Sequence, residues 1–342
     1  MADGTATTLA ANLPNSVSSL SVRPTAVAVS GDRFSGLTAI QTAISVSQNA
    51  FVTHPASGPP SCEAAQALSV ILVRSDAFPD GLVGSPLAAK KCGPLLLTPP
   101  TALDPAVLTE IKRVLQPGAT VYVIGDTHAI SAAAQSTLVA NHFTVVRFAG
   151  TSAYSTAAAV ARYGLGTPSV VLLANGLDYA DGLVAGPAAA ALGGAVLLTN
   201  GTLPHISTDN YLNGVAGVRA AAIGNQAATA YPWAYKVAGL TRYDTAAAVA
   251  REYFYPPRVA FLAYGRNYPD AMSGGALAAI TGNPLITTPQ ADLDPAMVRL
   301  LDAGSAATSF VIAIGGTPVV SATALAHAVT LSGGAEPWVG QG

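Results

Sequence analysis

Three short patterns recur in the same order three times along this chain of 342 residues, and that recurrence limits the fold more than any other feature. The first is a basic residue, two small or apolar residues and Gly, with Thr-Ala six positions on. It reads Arg33 to Gly36 with Thr42-Ala43, Arg147 to Gly150 with Thr156-Ala157, and Lys236 to Gly239 with Thr245-Ala246. The second is an aromatic, a small residue or Pro, then Asp: Phe78-Pro79-Asp80, Tyr179-Ala180-Asp181 and Tyr268-Pro269-Asp270. Fourteen residues after each Asp an apolar run begins, at Pro94, Ala195 and Pro284. The third pattern is an apolar run ending in Ile-Gly, at Gly125, Gly224 and Gly315-Gly316. From the first Gly to the Asp is 31 residues in the second and third copies and 44 in the first. The surplus falls around His54 to Cys62, a Pro/Gly/Ser segment that reads as a surface loop.

Each copy reads as alternating strand and helix. Continuous apolar strands separated by helices imply small parallel sheets covered on both faces, so the fold class is α/β with three tandem Rossmann-like units. The predicted strands include Val70–Val73, Val170–Leu173 and Val259–Ala263; an Ala-rich helix is predicted from Thr245 to Tyr253. Asp104-Pro105 and Asp294-Pro295 predict helix starts, with Asp as N-cap and Pro at the first helical position. A last strand in each copy (Phe143–Val146, around Tyr235–Val237, around Trp338–Val339) leads into the next basic-x-x-Gly turn. The expected divisions are an N-terminal segment 1–30, partly extended, then copies at 31–146 (with the insertion near 53–65), 147–235 and 236–342. Abundant small residues, with 33 Gly, predict close helix contacts between copies.

Apolar residues make up 51% and charged residues 10%, enough for several cores, which argues against disorder. The net charge of −2 and the lack of a Lys/Arg run argue against nucleic acid and against an anionic membrane surface. The mean hydropathy of +0.44 raises the question of a span. The candidate stretch, Gly182 to Tyr211, contains Pro187, Gly193-Gly194 and Pro204, and its counterpart in the first copy carries Lys90 and Lys91. It is therefore expected to be a helix, a turn and a buried strand, with no membrane span. Met1 to Ser21 lacks the basic and apolar regions of a signal peptide. Cys62 and Cys92 are either a disulfide or two separate buried thiols; secretion would favour the former.

The ordered set of patterns resembles the cell-wall-binding repeat 2 family of surface and S-layer-associated proteins of Gram-positive bacteria. The third copy carries the fullest pattern, through Thr241-Arg242-Tyr243-Asp244-Thr245-Ala246, Asn267-Tyr268-Pro269-Asp270-Ala271 and Ile314-Gly315-Gly316. The second copy has Ala153 before Tyr154, the first has Ala39-Ile40, and Asp126 and Asn225 replace the second Gly. The resemblance covers about residues 31 to 342. It implies three units around a pseudo-threefold axis and non-covalent attachment to anionic cell-wall polymers.

Asp80, Asp181 and Asp270 read first as helix N-caps, and otherwise as partners of basic residues across a copy boundary or as site residues at strand C-termini. Arg33, Arg147 and Lys236 could clamp an anionic polymer, or instead form an interface salt bridge or cap helix-end carbonyls. Arg242 and Tyr243 read as packing residues or a sugar platform. Gly125, Gly224 and Gly315-Gly316 read as turns that need positive φ, with a phosphate cradle as the alternative. The histidines His54, His128, His142, His205 and His327 show no metal spacing, and no nucleophile elbow, P-loop or dinucleotide fingerprint occurs. The expectation is a non-catalytic secreted protein of the cell wall or cell surface, without cofactor or metal, whose partner is an anionic cell-wall polymer. The alternatives are a surface-layer or filament subunit assembling with itself and, less favoured, a hydrolase on a Rossmann-like scaffold, with Cys62 as the distinctive reactive group.

Overall fold

The computed structural model describes residues 30–54, 58–304 and 307–332, and through them strand and helix alternate. The first copy runs β1 (Ser30–Phe34), α1 (Ala39–Ala50), β2 (Ser69–Arg74), α2 (Gly84–Lys91), β3 (Leu95–Thr98), α3 (Pro105–Val114), β4 (Thr120–Ile124), α4 (Ala132–Ala140) and β5 (Thr144–Phe148). The second runs α5 (Ala153–Ala159), β6 (Val170–Asn175), α6 (Ala180–Ala191), β7 (Ala195–Thr199), α7 (Ile206–Gly214), β8 (Arg219–Ile223), α8 (Asn225–Ala230) and β9 (Tyr235–Val237). The third runs α9 (Arg242–Phe254), β10 (Val259–Tyr264), α10 (Pro269–Thr281), β11 (Leu285–Thr288), α11 (Pro295–Ala303), β12 (Phe310–Ile314) and α12 (Ala322–Leu331). The predicted helix Thr245 to Tyr253 lies inside α9, which starts earlier because Thr241 and Asp244 form a capping box. Asp104 and Asp294 cap α3 and α11, each accepting from the N–H two residues on, with Pro at the first helical position.

The strands form three parallel four-stranded sheets, ordered β3-β2-β4-β5, β7-β6-β8-β9 and β11-β10-β12-β1. The third sheet is completed by the start of the chain: β1 pairs with β12 in parallel, Arg33 beside Ala313 and Phe34 beside Ile314. Each basic-x-x-Gly strand is thus the fourth strand of the preceding copy's sheet, counted cyclically. The boundary drawn at residue 31 puts β1 with the first copy in sequence, while its hydrogen bonds put it with the third. The strand expected around Trp338–Val339 lies outside the described residues, as does the segment 1–29.

The central strands β2, β6 and β10 bury both faces, as uninterrupted apolar runs require. The helices that follow them, α2, α6 and α10, pack against one another in the middle of the molecule. Small residues permit the approach. A Cβ on Gly182 would stand 2.7 Å from Leu82, and one on Gly186 would stand 2.8 Å from Ser85. Just before these helices the rings of Phe78, Tyr179 and Tyr268 meet, with every pair of centroids 5.6 Å apart. This equilateral arrangement marks the pseudo-threefold axis.

Cys62 and Cys92 are joined by a disulfide, Cα–Cα 6.0 Å, which ties the insertion in the first copy to the C-cap of α2. No helix among the described residues is long and apolar enough to cross a membrane. The stretch from Gly182 to Tyr211 is most of α6, a turn with Gly193 at φ 61°, β7 and the start of α7.

Candidate functional site

In a sheet ordered β3-β2-β4-β5 the chain reverses direction across the sheet between β2 and β4. The crevice beyond the strand ends at such a point is where open α/β sheets bind ligands. The turns flanking it are the second and third sequence patterns. Here the protein's own carboxylate fills each crevice. A Cβ built on Gly125 would lie 2.8 Å from Asp80 Oδ2, and one on Gly315 would lie 2.6 Å from Asp270 Oδ2; Asp181 is closer still to Gly224. The three glycines hold φ of 105°, 87° and 99°, as expected for these turns. The N-cap reading of the three Asp residues is corrected. Asp181 and Asp270 lie inside the first turns of α6 and α10, and none of the three side chains caps its own helix, because each points across the crevice to the glycine turn.

The Thr of the first pattern approaches two of these carboxylates from the neighbouring copy, Thr42 at Asp270 and Thr156 at Asp80. Thr42, Thr156 and Thr245 each accept a hydrogen bond at Oγ1 from the Gly six residues back, at 3.2, 3.1 and 3.1 Å. Burial raises the Asp270 pKa, and the Thr42 hydroxyl works against that shift. Burial likewise raises Asp80, opposed by Thr156 and by the charge of Arg74. Asp270 Oδ1 is buried without a hydrogen-bond partner. Asp181 is pushed up to about 6, first by burial and then by the charge of Asp178, with Arg242 pulling the other way.

The basic trio divides. Arg147 donates to the carbonyls of Gly125 at 2.7 Å, Asp126 at 2.9 Å and Ile130 at 3.0 Å, and its guanidinium also reaches Gln135. Arg33 donates to the carbonyls of Gly315 at 2.6 Å and Ser321 at 3.3 Å. Both hold the loop that follows the Ile-Gly turn, and burial lowers the pKa of each. Lys236 is exposed and makes no such bond. The reason is local: α8 begins directly at Asn225, so no loop carbonyls stand where Lys236 would reach them. The Asn225 amide donates to the Gly239 carbonyl instead, at 2.7 Å.

Arg242 stands beside the axis. It lies over the Tyr179 ring at 5.5 Å and donates to the Gly265 carbonyl at 2.8 Å and to Asp178 at 3.3 Å, joining the second copy to the third. Tyr243 is buried, packed on Gly265, and its hydroxyl has no partner. Arg74 and Asp76 form a two-bond ion pair on the same face, at 2.6 and 2.8 Å. Sequence reasoning did not single out Arg74. Only the first copy has an Arg-Asp pair at those positions, so the repeat gave no signal for it.

Among the described residues no three His, Cys, Asp or Glu side chains come together to hold a metal ion. Cys62 is taken up in the disulfide and is not free as a nucleophile.

The family profile described as Cell wall binding domain 2 (CWB2) matches residues 33–135, 147–230 and 236–325, one segment in each copy. The chain is 29% identical over 261 residues to N-acetylmuramoyl-L-alanine amidase LytC of Bacillus subtilis (strain 168), covering 75% of this chain and 52% of that protein. It is 26% identical over 316 residues to the amidase enhancer of the same organism, covering 89% of this chain and 42% of that protein. The chain thus spans about half the length of these relatives. Two solved structures share the fold. Cwp8 from Clostridium difficile superposes with a TM-score of 0.75 at 22% identity, over 89% of this chain and 52% of that one. Cwp6 from Clostridium difficile gives 0.73 at 20% identity, over 91% and 49%.

Proposed function

Because this chain belongs to the Cell wall binding domain 2 family, we propose that it is a secreted cell-envelope protein held non-covalently on anionic wall polymers through its three copies. The observation that carries this reading is the family match to all three copies in turn. The chain itself is read as non-catalytic. Its conspicuous carboxylates are wedged against glycine turns, and both cysteines lie in a disulfide. The amidase activity in the name of LytC belongs to that protein, of which this chain spans about half.

Attachment to a polyanion weakens as salt screens it; the Debye length falls from ~10 Å at 0.1 M to ~3 Å at 1 M ionic strength. Cosedimentation with purified walls across that range is the test. Progressive release supports the polyanion, and retention unchanged by salt contradicts it.

A second reading, assembly into a surface lattice, draws on Leu37 and Leu240. They occupy the same place after the first pattern's Gly, and both are 97% exposed. Sedimentation velocity of the isolated chain separates the readings: concentration-dependent growth without wall material favours the lattice, and a monomer at all concentrations opposes it.

A further inference from the structure

A groove of about 290 Å³ runs between α9 and α11 in the third copy. Its walls carry Leu240, Asp244, Arg251 and Arg299, and its floor is made of alanines, among them Ala247 and Ala296. The volume is at the lower end of the range for ligand pockets, about 300 to 1,000 Å³. Short floor residues leave the two long guanidinium side chains to define its chemistry.

Those guanidiniums are under-used. Asp244 is held by its own helix start, where its Oδ2 accepts from the Thr241 backbone N–H at 3.0 Å and from the Thr241 hydroxyl at 2.8 Å. Its other oxygen stands 3.8 Å from Arg299, a separation too long for a hydrogen bond. Arg299 is 65% exposed. Arg251 is exposed too and makes no hydrogen bond or ion pair within the described residues. One acidic and two basic groups leave the groove with an excess of positive charge and most of its N–H donors unsatisfied by protein.

The other copies lack this combination. In the second, Arg162 stands where Arg251 does, but it donates to the Asn210 carbonyl at 2.9 Å and lies over the Tyr211 ring at 5.0 Å. Asn210 itself takes the place of Arg299. In the first copy the matching positions are Gln48 and Thr109.

We infer that the α9–α11 groove is an anion subsite that takes one phosphate or carboxylate group between Arg251 and Arg299, and that the chain has one such subsite and not three. Guanidinium groups suit both anions, because their planar donors pair with two oxygens at once. The subsite rests on the wall-polymer reading for its natural ligand, but its chemistry can be tested apart from it.

The test titrates the full chain with two soluble probes, a glycerol phosphate oligomer and a galacturonic acid oligomer, by isothermal calorimetry at low salt. The variants are Arg251→Gln, Arg299→Gln, the double variant, and Arg219→Gln as an exposed control outside the groove. Thermal melts confirm that each is folded. The expected result is one equivalent of bound probe, a weakening of about tenfold for each single groove variant, loss in the double variant, and no change for Arg219→Gln. Binding of only one probe supports the subsite and identifies phosphate or carboxylate as the group it takes. The subsite is overturned if neither probe binds, if three equivalents bind, or if the double variant binds as the unaltered chain does. Wall cosedimentation of the same proteins separates the two ideas. If neither oligomer binds through the arginine pair while the unaltered chain and the double variant stay on walls equally, the subsite falls and the wall reading stands. If the oligomers bind through the arginine pair but the unaltered chain does not bind walls, the wall reading falls and the subsite stands.

Discussion

Arg33 donates from Nη1 to the Gly315 carbonyl at 2.6 Å, across 282 residues of chain. With the pairing of β1 on β12, this bond closes the row of three copies on itself. Arg147 makes the matching bonds within a single sheet, between β5 and the loop after β4.

The basic trio should therefore differ in its effect on stability. Arg147→Met and Arg33→Met each remove charge-assisted bonds to half-buried carbonyls and should cost about 2 to 4 kcal/mol. Lys236→Met, at an exposed position without such bonds, should change stability by less than about 0.5 kcal/mol. Urea unfolding of the three variants checks this; equal losses would refute the division.

The glycine turns can be probed within one copy. Gly125 and Gly118 both have positive φ, 105° and 89°, but a Cβ on Gly118 meets nothing within 4 Å while one on Gly125 meets Ala129 and Asp80. Gly118→Ala should cost about 1 to 2 kcal/mol, the strain of the backbone alone. Gly125→Ala adds the clash and should cost at least about 2 kcal/mol more. Thermal melts of the pair give the difference directly, and similar values for the two would mean the crevice is not filled as described.

Much of this was legible in the sequence. The three patterns predicted three α/β copies with parallel sheets, and the Asp-Pro helix starts fell where expected. The role of the Asp trio was not legible, because an Asp that opens a helix after a strand has the same local signature whether it caps that helix or points away from it. What decides is the glycine turn 43 or 45 residues later and, for Asp80 and Asp270, a Thr from another copy. The division of the basic trio left one trace: 22 residues separate Gly125 from Arg147 but only 12 separate Gly224 from Lys236. The missing residues are the loop that an Arg would hold.

Asp181 predicts how stability responds to acid. Its folded pKa, about 6, stands above the ordinary carboxylate value because burial disfavours the charge. The stabilisation from its protonation is therefore complete below about pH 4 and is lost as pH rises through 6. Acidifying from pH 7.5 to 5 should add roughly 1 to 2 kcal/mol at this site, and Asp181→Asn should abolish that gain. The carboxylates of Asp76 and Asp126 act in the opposite sense only at lower pH, since hydrogen bonds shift both down. Urea midpoints of both proteins against pH are the measurement; a flat profile for the unaltered chain over this window would count against the buried carboxylate.

Reduction should loosen the first copy. Cys62 and Cys92 are 30 residues apart, and opening a loop of that size releases about 3.5 kcal/mol of constraint on the unfolded chain. A reductant should lower the melting temperature, and the Cys62→Ser, Cys92→Ser double variant should melt at that lower temperature with or without reductant. An unchanged melt on reduction would show that the bridge contributes nothing to stability.

The central claim is attachment to the wall through its anionic polymer. The most direct measurement is a binding isotherm of the full chain on purified walls, before and after the anionic polymers are stripped from them. The account predicts saturable binding to intact walls that falls to background on stripped ones. Equal binding to both would contradict it.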